Sequence, residues 1–461
     1  MPLDPSKLDA VGTIAAIKCG EISPRAYAEA VAERAAEHNG LNSLQYFDPD
    51  QLVRDASRSV EANTGGALAG LPLVAKDNIN TASMPTTGCT SALLGHRPEQ
   101  DAGVVRKIFT QGGYIGAKAG MHELAFGITS NNAVTGPIRN PADPSLIAGG
   151  SSGGTAASVA AGIFPAGLGT DTGGSNRIPA ALCGVVGFRP TTGRYDGDGI
   201  IPISRTRDTV GPMARSVRDI VLLDSVLSGE SDSRPECVDI ESIALGIPRK
   251  TFFDGLEREL EDAIETHLGK LASAGAKLVE IDLEAIWPHN EAFGFPVVFY
   301  ETARDLPAYL REHAPDVSFE SLVAGIGSPD VAGVFAQLLG EEATSEESYR
   351  AAIEEHRPAM RRIFSRAFEE SGLDAIAFPT TPLTARPVGD DQTVVLNGGE
   401  VSTFATYIRN TDLGSNIGAP GISLPCPDVQ GMPVGIEFDA LPGEDRSLLG
   451  LARTIEHAMA Q

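Results

Sequence analysis

Between Gly149 and Gly211 the chain is dense in glycine and poor in charge. Glycine lets backbone segments approach closely, and a segment with few charges is suited to burial. The stretch opens on GGSSGG (Gly149 to Gly154) and runs into TAASVAAG, which reads as a helix of small residues. FPAGLGTD then reads as a strand, SNRIPAALCG as a short helix and VVGFRPT as another strand. This alternation predicts an α/β architecture around a largely buried sheet.

The flanking sequence extends that picture. SPRAYAEAVAERAAEHN reads as a helix with Ser23 as N-cap and Pro24 at its first position. LPLVAKDNI (Leu71 to Ile79) reads as a short buried strand ending near Lys76, and VVRKIFTQGGYIGAK as a helix, a GG stop and a strand. SGESDSRPECVD (Ser228 to Asp239) is polar and turn-rich and reads as a surface connection. After the strand ALGIPRK the pattern is mostly helical, a cap or insertion over about residues 255–370. Strands return at LDAIAFPTTP, GISLPC and PVGIEFDA, before a last helix in SLLGLARTIEHAM. Pairing of these late strands with early ones would make residues 1–461 one domain, although 461 residues could form up to three at roughly 150 each.

Several functions are disfavoured. A net charge of −25 argues against a nucleic-acid partner, which needs a basic face. Five widely spaced cysteines, with no CxxC, point to a reducing cytoplasm rather than a disulfide framework. The start, MPLDPSKLDAVG, lacks the basic and apolar regions of a signal peptide, and no apolar run reaches 18 residues, so no membrane partner is expected. GGSSGG and GAKAGM lack the GK[ST] ending of a P-loop, and GLGTDTGG does not fit GxGxxG. His122 in MHELAF has no second histidine four residues on, so it reads as structural. Cys183 reads as a small buried hydrophobe, and no GxSxG elbow occurs. Neither a metal nor another cofactor is expected.

A different set remains: Lys76, the serines Ser151 and Ser152, and Ser175 in GTDTGGSNRIPAALCG. Backbone N–H groups of Thr172, Gly173, Gly174 and Ser175, at a helix start, could converge as an oxyanion hole. The same residues equally describe a capped helix after a tight turn. Ser151 and Ser152 could likewise be caps. Lys76 could be a surface residue, or a base whose pKa burial lowers.

Taken in order, LPLVAKDNI, GGSSGGTAASVAAG, GTDTGGSNRIPAALCGVVGFRPTTGR and DTVGPMARSV resemble the amidase signature family. The resemblance is strongest over about residues 71–217, which it marks as the catalytic core. It implies a large mixed central β-sheet covered on both faces by helices, and a Ser-cisSer-Lys catalytic set. By position, Ser175 is the nucleophile, Ser151 the bridging serine in a cis peptide and Lys76 the base. Thr172 to Ser175 form the oxyanion hole, and Ser152 supports the loop. Asp171 and Arg177, of opposite charge, read as a structural pair that holds the turn. Asn176 departs from the apolar residue usual after the nucleophile.

GMHELAFGITSNN, FPVVFYE and YIRNTDLGSNIGAPG are similar to the indoleacetamide and mandelamide hydrolase branch. That likeness implies an aryl or arylalkyl carboxamide as substrate, with Met121, Phe126, Thr129 and Tyr300 lining an acyl pocket; core packing is the competing reading for each. The alternative is the amidase subunit of a glutamine-dependent amidotransferase complex. The expected partner is a small-molecule amide, with a homodimer left open.

Overall fold

The computed structural model describes residues 3–62, 65–230, 235, 237–341 and 343–459. Pro24 opens α1 (Pro24–Glu37), and the Ser23 side chain accepts the Ala26 N–H at 3.1 Å, the cap that the sequence predicts. Then come β1 (Leu44–Tyr46), β2 (Pro72–Lys76), α2 (Gly103–Thr110) and β3 (Tyr114–Ala119). The glycine-rich region forms α3 (Gly153–Ala160), β4 (Ala166–Asp171), α4 (Arg177–Cys183), β5 (Val186–Arg189) and β6 (Thr209–Ala214). The second half adds β7 (Ala244–Ile247), α5 (Arg258–Ser273), β8 (Lys277–Glu280), the long α6 (Trp287–His313), α7 (Pro329–Leu339) and α8 (Arg357–Ser371). It ends with β9 (Ala375–Pro379), α9 (Thr403–Ile408), α10 (Asp412–Ile417), β10 (Gly421–Val429), β11 (Met432–Asp439) and α11 (Asp445–Met459).

Eleven strands make one mixed sheet in the order β1-β3-β2-β4-β6-β5-β10-β11-β9-β7-β8, flanked by helices. Late strands do join early ones: β10 runs antiparallel to β5, with Gly421 opposite Arg189. Sequence patterning alone does not mark β6, because Gly211 and Pro212 sit inside it and weaken a strand signal. The connection proposed for Ser228 to Asp239 lies partly outside the described residues.

Register positions the site. β2 and β4 are parallel neighbours, with Val74 opposite Gly167 and Ala75 opposite Leu168. Their carboxyl ends, carrying Lys76 and Thr170 to Asp171, therefore emerge side by side. In open α/β sheets, ligands bind outside these strand ends. The small residues of α3 pack behind them, and every residue from Gly153 to Val159 is buried. Among the described residues, no helix is long and apolar enough to cross a membrane.

Candidate active site

Lys76 is wholly buried and ends on two hydroxyls: Nζ lies 2.7 Å from Ser151 Oγ and 2.8 Å from Thr170 Oγ1. Asn78 Nδ2 donates to the same Thr170 Oγ1 at 3.0 Å. Burial pushes the Lys76 amine down to about 7, against the opposing pull of Asp171 and Asp208. The Gly150–Ser151 peptide is cis. Ser151 is tied down through its backbone as well, its carbonyl accepting the His122 N–H at 3.1 Å.

Ser152 stands at the N-cap position of α3 but makes no cap bond from its side chain. Its Oγ instead donates to the Thr170 carbonyl at 3.1 Å and accepts the Thr170 N–H at 3.3 Å. Its own N–H donates to the Ser175 carbonyl at 3.1 Å. The loop of paired serines thus grips the strand end beside Lys76 and the turn carrying Ser175.

The turn between β4 and α4 is ordered by its carbonyls. Thr172 O accepts Arg207 Nε at 3.0 Å, Gly173 O accepts Thr411 Oγ1 at 2.6 Å, and Gly174 O accepts the Ile178 N–H at 2.8 Å. Gly174 has φ +133°, and a Cβ there would stand 2.1 Å from Thr411 Oγ1, so only glycine fits. One expectation is corrected here: the Gly174 N–H donates to Asp171 Oδ1 at 3.0 Å and cannot serve an oxyanion. Thr172, Gly173 and Ser175 remain on the cavity wall.

Asp171 anchors this turn. It accepts Arg177 Nε at 3.1 Å, Arg189 Nη1 at 3.0 Å and the Asn176 N–H at 3.1 Å. Burial alone would push its carboxyl up, but Arg177 and Arg189 outweigh it and hold the group well below the usual carboxylate range. Arg177 also pairs with Glu437 of β11 and donates to the Thr411 carbonyl at 2.9 Å. With every one of these side chains buried, the pair serves the scaffold. Asn176 is buried too, its amide donating to Phe188 O at 2.9 Å and Pro212 O at 3.2 Å. An amide in place of an apolar residue thus joins the start of α4 to β5 and β6. Asp208 accepts Thr172 Oγ1 at 2.6 Å, a contact no sequence pattern announces.

Ser175 opens on a cavity of about 680 Å³ including its mouth. Its walls include Phe126, Phe295, Phe299 and Phe404, with Arg207 and Asp412 as the charged members. Of the four pocket residues expected from the sequence, Phe126 lines it and three do not. Met121 is wholly buried in the apolar cluster that Phe126 also joins, but is not on the cavity wall. Thr129 Oγ1 donates to Asp391 at 2.7 Å. Tyr300 stacks on Tyr349 with ring centroids 4.2 Å apart. On α6, Tyr300 stands about 140° around the helix from Phe295, so these two cannot share a face. Phe295, Val298 and Phe299 do share one, at i, i+3 and i+4, a spacing readable in the sequence.

His122 is a scaffold residue: Nδ1 accepts the Ser130 N–H at 3.2 Å and Nε2 faces Asp330 at 2.9 Å. Cys183 is buried, with its thiol 3.3 Å from the Ala148 carbonyl. Among the described residues no group of histidine, cysteine and carboxylate side chains is arranged to hold a metal ion.

The family model described as Amidase matches residues 26–449, and the chain belongs to the amidase signature family. As such it is an amidase, a hydrolase of amide C–N bonds. It is 43% identical to an indoleacetamide hydrolase of Rhizobium radiobacter, over 94% of this chain and 92% of that one. It is 39% identical to a mandelamide hydrolase of Pseudomonas putida, over 97% of this chain and 90% of that one. A crystal structure of an amidase matches with a TM-score of 0.87 at 37% identity, covering 98% of this chain and 100% of that one.

Proposed function

We propose that this amidase converts a small aryl or arylalkyl carboxamide to its acid and ammonia through an acyl-enzyme on Ser175. The observation that carries the reading is the buried contact of 2.7 Å between Lys76 Nζ and Ser151 Oγ, beside a serine that opens on a phenylalanine-lined cavity. Neutral Lys76 takes a proton from Ser151, which takes one from Ser175. Ser175 Oγ bonds to the amide carbon, and the carbonyl oxygen becomes an oxyanion. The N–H groups of Gly173 and Ser175 face that charge; one such donor is worth about 3–4 kcal/mol. The C–N bond then breaks as Lys76 returns its proton through Ser151 to the leaving nitrogen. Water attacks the acyl-enzyme by the same relay, releasing the acid and restoring Ser175.

The phenylalanine walls favour a flat aromatic acyl group, since ring-on-ring contact adds about 0.5–1.5 kcal/mol per pair beyond area burial. Names borne by the relatives, indoleacetamide and mandelamide hydrolase, are of this type. The test is ammonia release from a panel of indoleacetamide, mandelamide, benzamide and aliphatic amides. Turnover should favour the aromatic members and vanish in Ser175→Ala. A fluorophosphonate that labels any residue except Ser175 would remove it as nucleophile.

A further inference from the structure

We infer that Arg207 is a positioning residue for the oxyanion turn, holding the Thr172–Gly173 peptide so that the Gly173 N–H faces the cavity. The inference rests on the acyl-enzyme reading above. A trans peptide carries its C=O and N–H on opposite sides of one rigid plane. Whatever fixes the carbonyl direction therefore fixes the N–H direction. For this peptide the carbonyl is held by Arg207 Nε at 3.0 Å. A cationic donor on the carbonyl also polarises the amide, which strengthens its N–H as a donor.

The other peptides of the turn are committed differently. The Gly173–Gly174 peptide is held at both ends, its carbonyl by Thr411 and its N–H by Asp171. The Gly174–Ser175 carbonyl is taken by the first turn of α4. Gly173 thus supplies an N–H on the cavity wall whose direction is set by the arginine.

Arg207 is built to be rigid. It is buried, and Nη1 donates to the Gly294 carbonyl of α6 at 3.1 Å while Nη2 pairs with Asp412 at the start of α10. Its own backbone is fixed, its N–H on Ser204 O at 2.8 Å and its carbonyl on Arg189 Nη2 at 2.7 Å. One planar fork thereby joins the turn to two helices that wall the cavity, which a lysine point charge cannot do. Gly173 leaves room for it, since a Cβ there would lie 3.2 Å from Arg207 Nη2 and 2.7 Å from Ile408. Arg207 lines the cavity, and three of its five N–H groups, one on each nitrogen, are engaged by the fold, which fixes the plane of its guanidinium.

The test uses Arg207→Lys and Arg207→Gln in the full chain. The readouts are Tm, kcat and KM for an arylacetamide, and the Kd of phenylacetic acid and of 2-phenylethylboronic acid. The boronic acid forms a tetrahedral adduct with Ser175 that places an oxygen on the turn. With the donor misaligned, kcat should fall by about 30- to 300-fold, as for loss of an oxyanion donor, with KM and the acid Kd moving less than about threefold. The boronate Kd should weaken in step with kcat/KM. A folded Lys variant with unchanged kcat overturns the inference. So does equal loss of acid and boronate binding, or failure of both variants to fold, each of which makes Arg207 a purely structural residue. Ser175→Ala separates the two levels. If it still turns over, the acyl-enzyme reading fails; if it is dead while the Arg207 variants lose acid and boronate alike, only this inference fails.

Discussion

Lys76 Nζ and Ser151 Oγ meet at 2.7 Å where neither side chain reaches solvent. Burial lowers the pKa of a lysine so placed to about 7, so the neutral amine predominates above that pH. In the proposed relay, only the neutral amine can accept the proton from Ser175. The kcat/KM of the free enzyme should therefore be flat at high pH and fall tenfold per unit below about 7. A pH-rate profile from 5 to 10 checks this, and a profile that rises toward low pH would refute the assigned base. Lys76→Ala should lower kcat/KM by about 10²- to 10⁴-fold on the high-pH plateau, and the gap should narrow as the parent falls below about pH 7.

Thr170 is the second oxygen on Lys76, and its removal has a signed effect. Thr170→Val keeps the shape but deletes an acceptor that favours the ammonium form. The acid limb of the pH-rate profile should move to lower pH. Loss of lysine alignment should also cost about tenfold in kcat, in the range of a lost hydrogen bond to a charged group. Movement of the limb to higher pH would contradict the role given to this hydroxyl.

Asp171 carries a stability prediction. Arg177 and Arg189 hold its folded pKa below the unfolded value, so its contribution is present above about pH 4, the ordinary carboxylate range, and is lost as pH falls below it. Asp171→Asn leaves two buried guanidiniums short of their counter-charge, a change that costs about 3–5 kcal/mol. Urea denaturation at pH 7 should show this loss, and the difference from the parent should narrow as pH is lowered toward 3.

Aromatic selectivity should reside in α6 and α9. Phe299→Ala and Phe404→Ala should each raise KM for an arylacetamide by about 10- to 200-fold, the range for losing contacts in an apolar pocket. Acetamide-sized substrates, which cannot reach these rings, should change little. Tyr300→Ala, by contrast, removes contacts with Tyr349 and Arg304, away from the cavity, and should leave the aryl preference intact. Steady-state kinetics on the three variants decide the assignment.

What the sequence by itself determined is the local part of this protein. Lys76 follows an apolar run, the serine pair is flanked by glycines, and Ser175 begins a helix after a tight turn, so each is legible within ten residues of chain. The opposite charges of Asp171 and Arg177 are near neighbours too, and their pairing follows from one turn of backbone. The tertiary structure decided what crosses the fold. Thr170 reaches Lys76 only because β2 and β4 pair in one register. Arg207 meets Thr172 O because the segment before β6 folds back beside β4. Tyr300 carries the same aromatic signal as Phe299, yet one residue of helical rotation sends it to Tyr349 instead of the cavity. Thr129 is spent on Asp391, some 260 residues away. The physical reason is that a motif is a property of neighbouring backbone, whereas a pocket wall depends on how helix faces and strand registers are rotated against each other.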